Sequence, residues 1–211
     1  MALSTTLPNV FSSLNIQDLV DAFGLQKTDQ TEILSIKITD LQSSRASELV
    51  NLYQNEIEYW NEQELIIKYL SPILNLIDFR GNNYNSFAER TISASVDGIL
   101  LTGITDFVVA RGKYEPRNPY FFIQEFKKAK NPTGDPFAQL LGEMLVAQVL
   151  NQSELVYGLY IVGRFWYFVA LENRNYTEIL PLDSTNLQDL EIILSKLNWI
   201  KNWVREKVEN L

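Results

Sequence analysis

Two residue types are missing altogether: the 211-residue chain contains no cysteine and no histidine. Without cysteine no disulfide can form, and the redox compartment leaves no trace in the sequence. Together the two absences exclude zinc sites of the usual Cys/His kind, Ser-His and Cys-His nucleophile pairs, and any nuclease whose general base is histidine. Chemistry in this chain must run on carboxylates, lysine, arginine, tyrosine or hydroxyls. A Ser-Lys pair satisfies that restriction, but no motif marks one. The G-x-x-x-x-G-K-[ST] loop and the G-x-G-x-x-G turn are also lacking, so a phosphate cradle of either type is not expected. No stretch approaches the ~18 consecutive apolar residues of a transmembrane helix. Residues 1–11 lack the charged start and apolar core of a signal peptide. The expectation is a cytoplasmic protein with no membrane partner. Basic residues are in short supply as well: 18 Lys and Arg against 26 Asp and Glu give a formal net charge of −8. That balance argues against a non-specific, high-affinity nucleic-acid binder, and leaves room for a local basic patch around a site.

What is present suffices for one sizeable core: 46% of the residues are hydrophobic, which points to a single domain over 16–211 behind a loosely ordered segment 1–15. A short helix is expected over 15–25, ending near Gly24, and alternation over 30–39 suggests a strand. Helical spacing runs through 41–76, where Pro72 is placed to kink or divide the second helix. The period then turns from helical to alternating. Strands are expected over 91–96, 99–110 and 120–128, with Asp97-Gly98 as a tight hairpin turn and 111–119 as a loop. Asp135 and Pro136 read as the cap and first position of a helix with an apolar stripe at Phe137, Leu140, Leu141, Met144 and Leu145. Strands over 156–162 and 165–171, joined at Gly163-Arg164, precede a last helix over 187–208. Trp199 and Trp203 on that helix either cover the sheet or join two copies of the chain in a homodimer, with covering favoured. The pattern is α/β: a mixed central sheet flanked by helices.

Three segments can carry chemistry: Gly103-Ile-Thr-Asp106-Phe, Ile123-Gln-Glu125-Phe-Lys127 and Ala138-Gln139-Leu-Leu. Alternation along a strand puts Glu125 and Lys127 on one face, and a hairpin brings Asp106 beside Glu125. Tyr120-Phe-Phe-Ile and Phe126 mark this strand as covered. Charges there are costly unless paired or bound to a metal, and neighbouring carboxylates repel unless a cation separates them. Oxygen donors without histidine or cysteine favour Mg²⁺ or Mn²⁺. The plainer reading is that Glu125 and Lys127 are a salt bridge at a sheet edge and Asp106 a turn residue. The order Asp, hairpin, Glu-x-Lys and capped helix is more restrictive than the tripeptide alone. Arg111, Lys113, Arg117, Lys128 and Lys130 form a basic cluster that reads either as phosphate contacts beside the site or as a solvated loop.

On these residues, Thr105-Asp106, Glu125-Phe126-Lys127 and the helix that follows, the segment 60–170 resembles the core of the PD-(D/E)XK (restriction-endonuclease-like) nucleases. Thr105 stands where that family has its leading proline. The resemblance implies a Mg²⁺- or Mn²⁺-dependent phosphodiesterase acting on DNA, or less readily RNA, with Asp106 and Glu125 on the metal and Lys127 assisting the attacking water. It also implies an acidic residue on the first core helix, assigned to Glu64 with Glu62 as rival, and a catalytic role for Gln139. The alternative is a catalytically silent nuclease-like fold used as a nucleic-acid-binding or protein-interaction module, which the acidic composition favours. A small-molecule-binding α/β protein is the third.

Overall fold

Strand alternation begins earlier than residue 91 in the computed structural model, which describes residues 2–128 and 134–209. In chain order the elements are β1 (Asn9–Val10), α1 (Ile16–Phe23), β2 (Gln26–Lys27), α2 (Asp40–Tyr53), α3 (Glu62–Leu65), α4 (Ser71–Ile77), β3 (Tyr84–Val96), β4 (Ile99–Arg111), β5 (Arg117–Lys127), α5 (Pro136–Asn151), β6 (Leu155–Val162), β7 (Phe165–Glu172), β8 (Asn175–Glu178), β9 (Leu182–Asp183) and α6 (Leu187–Glu209). The protein is α/β, with these nine strands in one mixed sheet flanked by helices. β3, β4 and β5 form an antiparallel meander. The chain then crosses through α5, so that β6 runs parallel to β5, and β7 and β8 continue antiparallel. Among the described residues no helix is long and apolar enough to cross a membrane.

Local chemistry explains the boundaries. Asn15 caps α1 by accepting from the Asp18 N–H, and Gly24 ends the helix at φ +65°, a left-handed angle that favours glycine. Asp97 and Gly98 both have positive φ, 48° and 85°, as the tight turn of a two-residue hairpin demands. Asp135 caps α5 through the Ala138 N–H. Its other oxygen accepts from the Ile16 N–H at 3.2 Å, tying the starts of α1 and α5 together. Pro72 does not divide its helix: α3 passes into α4 through a π turn, Ile66–Leu70, closed by a Ser71 N–H to Ile66 carbonyl bond.

Three expectations fail for identifiable reasons. Residues 30–39 form no strand, because α6 meets their polar groups: Ser195 Oγ donates to the Ile36 carbonyl and Lys196 Nζ to that of Ile33. The N-terminal segment, expected to be loose, pairs Asn9 and Val10 with Leu101 and Thr102 of β4 and buries Phe11 and Leu14. The loop expected over 111–119 is also shorter, since Arg111 already pairs with Arg117.

Each face of the sheet carries its own core. On one, Val109, Phe122, Phe126, Leu159 and Trp166 meet α2, α4 and α6. On the other, Val108, Ala110, Tyr160 and Val169 meet α5 and α1. Trp199 and Trp203 pack edge-on to Tyr157, with ring centres 5.3 and 4.9 Å away, and so cover the sheet. Gly158 on β6 lets α5 settle: a Cβ there would lie 2.7 Å from Met144 Sδ and 2.9 Å from Leu140 Cδ1. Both neighbours are buried and have little space to retreat. Gly158→Ala is therefore expected to cost roughly 1–2 kcal/mol in urea unfolding, and unchanged stability would mean that α5 is not seated there.

Candidate active site

The site is built where the sheet opens. β4 and β5 pair from Arg111↔Arg117 to Phe107↔Gln124 and then part; β3 lines β4 along its whole length, while β1 pairs with the first half of β4 at Leu101 and Thr102. The Phe126 N–H, left without a partner on β4, donates to Asp106 Oδ2 at 2.7 Å. Asp106 thereby closes the ladder with its side chain and holds its carboxylate at the mouth of the gap.

Alternation fixes the facing of the rest. Phe122 and Phe126 belong to the α6-side core, so Glu125 and Lys127 point to the α5 side. Val108 and Ala110 pack on the α5 side, and Asp106 shares their parity. The structure therefore brings Asp106, Glu125 and Lys127 to one face. Glu125 is 1% exposed and Lys127 9%. The ammonium pairs with Glu125 Oε1, while Oε2 has no hydrogen-bond partner among the described residues. Burial, and next the Asp106 carboxylate, push the Glu125 carboxyl up to about 7 against the pull of Lys127. Burial raises Asp106 as well, although the Phe126 N–H and Lys127 oppose it. For Lys127, burial works against the charge, but Glu125, Asp106 and Glu62 outweigh it and hold the ammonium above its usual value.

A fourth group went unnoticed in the sequence. Glu143 on α5 is fully buried, and among the described residues neither carboxylate oxygen has a partner. Burial, then Glu125 and Asp106, push it well above the ordinary range. It lies one turn beyond Gln139, which is also buried, so both project from the same helix face. The signal was available: a glutamate inside Leu140-Leu141-Gly142-Glu143-Met144-Leu145 is a charge in an apolar run, and such a burial is costly.

Of the two helix glutamates, Glu62 faces the site and Glu64 does not. Glu62 is raised by burial, and the charges acting on it are Lys127, Asp106 and Lys128. Glu64 belongs to the capping box with Asn61 and pairs with Lys68 at 3.1 Å in solvent. A cleft of about 250 Å³ lies between this helix and the sheet, with Glu62, Glu89 and Asp106 as its acidic groups and Ile66, Leu70, Leu74 and Phe126 among its apolar ones. Its wall includes the π turn, and such turns are frequent at functional sites. Glu89 adds a second irregularity: it takes φ +51° in the gap between the Ala88↔Phe107 and Arg90↔Thr105 pairs, opposite Asp106. Strain of this kind clusters where a site is held in shape.

The basic cluster is not all beside the site. Lys128 is, since it acts on Glu62. Lys130 lies outside the described residues. Arg111, Lys113 and Arg117 stand at the far end of the hairpin, five residues along β4 from Asp106, which is roughly 17 Å at strand rise.

The donors fit a hard divalent cation in kind: all are oxygens, and Glu125 Oε2 and both Glu143 oxygens are buried without partners among the described residues. Among the described residues, no three carboxylates are already drawn together closely enough to form a cage. Lys127 holds the position of counter-charge to Glu125 instead. No family model matches the chain, and no curated protein matches it.

Proposed function

We propose that the protein is a Mg²⁺-dependent (or Mn²⁺-dependent) phosphodiesterase of the PD-(D/E)XK kind acting on nucleic acid, DNA ahead of RNA. The observation that supports this most is the charge balance behind the cleft. Asp106, Glu125 and Glu143 crowd one buried face with Lys127 as the cation among them. Such a group is destabilising unless it is protonated or binds a cation. Asp106 and Glu125 would hold the metal, with Glu143 behind them and Glu62 at the mouth. When bound there, the metal would supply hydroxide near neutral pH and offset charge on a phosphate. Lys127, beside Glu125, would present its N–H groups to a developing phosphate charge or to the attacking water. Gln139 lines the same face as a neutral donor.

The silent-module reading rests on one observation: Glu125 already has Lys127 as a partner, so a protonated Glu143 would leave the site neutral enough without a metal. Incubating the protein with single-stranded, duplex and branched DNA, and with RNA, in Mg²⁺ or Mn²⁺ separates the two. Cleavage abolished by a chelator is expected. No cleavage, with no heat of Mn²⁺ binding by calorimetry, would transfer the case to the silent module.

Glu62 and Glu64 give a finer test. Glu62→Ala is expected to lower metal-dependent cleavage about 10-fold or more, as removal of a supporting group near a metal does. Glu64→Ala should leave cleavage unchanged, because Glu64 faces Lys68. The reverse result would overturn the placement of the site.

A further inference from the structure

We propose that the groove at the far end of the β4–β5 hairpin holds a single-stranded stretch of the nucleic acid by its backbone and one base, so that the substrate is a polynucleotide and not a short oligonucleotide. The identity of the ligand rests on the nuclease reading; the groove rests on its own geometry. It has a volume of about 520 Å³ and is lined by Asn82, Asn83, Arg111, Lys113, Tyr114 and Arg117, with Glu115 as its lone acid.

Three features single it out. The first is charge. In a chain of net charge −8, three exposed cations fall within residues 111–117, and among the described residues no carboxylate forms an ion pair with them. A second groove shares Asn82 and Asn83 with the first and adds Lys201 and Arg205, together with Arg80, which is paired with Asp78. The second feature is Tyr114. It is 81% exposed, an unusual place for a large ring, and Lys113 Nζ lies 5.5 Å from the ring centre. A solvent-facing aromatic among cations is the arrangement that stacks an unpaired base and neutralises the adjoining phosphates. The third is fixed shape. Gly112 adopts φ +114°, and a Cβ there would meet the Glu115 carbonyl oxygen at 2.1 Å, so only glycine fits. The Gly112 N–H donates to the Asn83 carbonyl at 2.9 Å, and Asn85 Nδ2 donates to the Lys113 carbonyl at 3.1 Å. The loop is therefore pinned on both sides of Lys113, to Asn83 just before β3 and to Asn85 within it.

Position converts this into a statement about substrate. Asp106 and Arg111 are five residues apart on β4, roughly 17 Å, which is the rise of about five base pairs in a duplex and is spanned by fewer nucleotides in an extended single strand. A strand engaged by both the groove and the carboxylates must exceed that length. The test is fluorescence anisotropy with a labelled 20-nucleotide oligothymidylate, in chelator so that no cleavage occurs. The triple variant Arg111→Gln/Lys113→Gln/Arg117→Gln is expected to bind at least about tenfold more weakly and to flatten the log–log salt dependence by about 2, the loss of three phosphate contacts at roughly 0.7 each. Tyr114→Ala should weaken binding severalfold at unchanged salt dependence. Lys37→Gln, a control on the opposite charge count alone, should change neither. Unchanged binding in the triple variant, or in Tyr114→Ala, overturns the proposal, as does a wild type that binds no oligothymidylate. Circular dichroism of each variant confirms the fold, which these exposed side chains do not support. Tight binding without cleavage in Mn²⁺ would leave the groove standing and remove the nuclease reading.

Discussion

Lys127→Ala should bind Mn²⁺ as the wild type does and cleave about a hundred- to a thousandfold more slowly, the scale of losing a preorganised donor to transition-state charge. The side chain is buried against Glu125 and ligates nothing. Its loss removes a cation that repels the metal, while Glu125 and Asp106 remain. Lys127 is one of the groups that hold Glu125 down to about 7, so its loss raises that carboxyl further, and calorimetry is to be run from pH 8 upward, where binding metal displaces the proton. Asp106→Asn should do the opposite in binding. It removes one formal charge from the centre and keeps the shape, since the amide oxygen can still accept from the Phe126 N–H. Its Mn²⁺ affinity should fall about 10-fold or more, and cleavage with it. Lys127→Met retains the apolar stem and serves where the alanine variant folds poorly. The pattern matters more than either number. Equal loss of metal affinity in both variants would mean that Lys127 organises the carboxylates and does not act on the phosphate.

In chelator, the protein should lose stability as pH rises from 5 to 8, and divalent metal should return it. The sign follows from the carboxyls. Glu125 sits near 7 in the folded protein, against 4.5 for a free side chain, and burial holds Glu143 well above its ordinary value too. Between the unfolded and folded values the folded state holds more protons, so stability is full below about 4.5 and drains away upward. At 1.36 kcal/mol for each pH decade, Glu125 alone accounts for on the order of 3 kcal/mol. Lys127, held above its ordinary value by Glu125 and Asp106 after burial has opposed it, contributes stability that is lost only at strongly alkaline pH, outside this window. Urea unfolding of the wild type and of Glu125→Gln isolates the effect: the difference between them should shrink or reverse from pH 5 to pH 8. Mn²⁺ at a hundred times its Kd should add about 2.7 kcal/mol to the wild type at pH 8. A flat pH profile would show that water already solvates these groups.

How much of this was legible in the sequence depended on the range of the interactions involved. The meander and the crossover helix were, because Asp97-Gly98, Asp135-Pro136 and Gly163-Arg164 are local signals that survive folding unchanged. The shared face of Asp106, Glu125 and Lys127 was also legible, because it needs only alternation and one hairpin. What escaped required a partner distant in sequence. Residues 30–39 alternate like a strand, yet their polar groups are taken by Ser195 and Lys196 of α6. Asn9–Val10 is too short to show a period and is ordered by Leu101 and Thr102. Tyr84 to Arg90 mixes polar and apolar residues without a clean period, and Glu89 breaks the regular backbone there. Glu62 and Glu64 differ by two positions, and only the packing of α3 decides which of them sees Lys127. Glu143 was the exception: its apolar surroundings in the chain already marked it as a buried acid.

The most direct measurement is a crystal of the wild-type protein soaked in Mn²⁺ at pH 8, with anomalous diffraction data. The account requires one anomalous peak within coordination distance of both Asp106 and Glu125, about 2.0–2.3 Å from their oxygens, with the Lys127 ammonium displaced from Glu125 Oε1 toward solvent in the cleft. An Asp106→Asn crystal soaked alongside should show the peak weakened or gone. A wild-type map with no peak there, and with Lys127 still paired to Glu125, would contradict the metal centre and with it the phosphodiesterase.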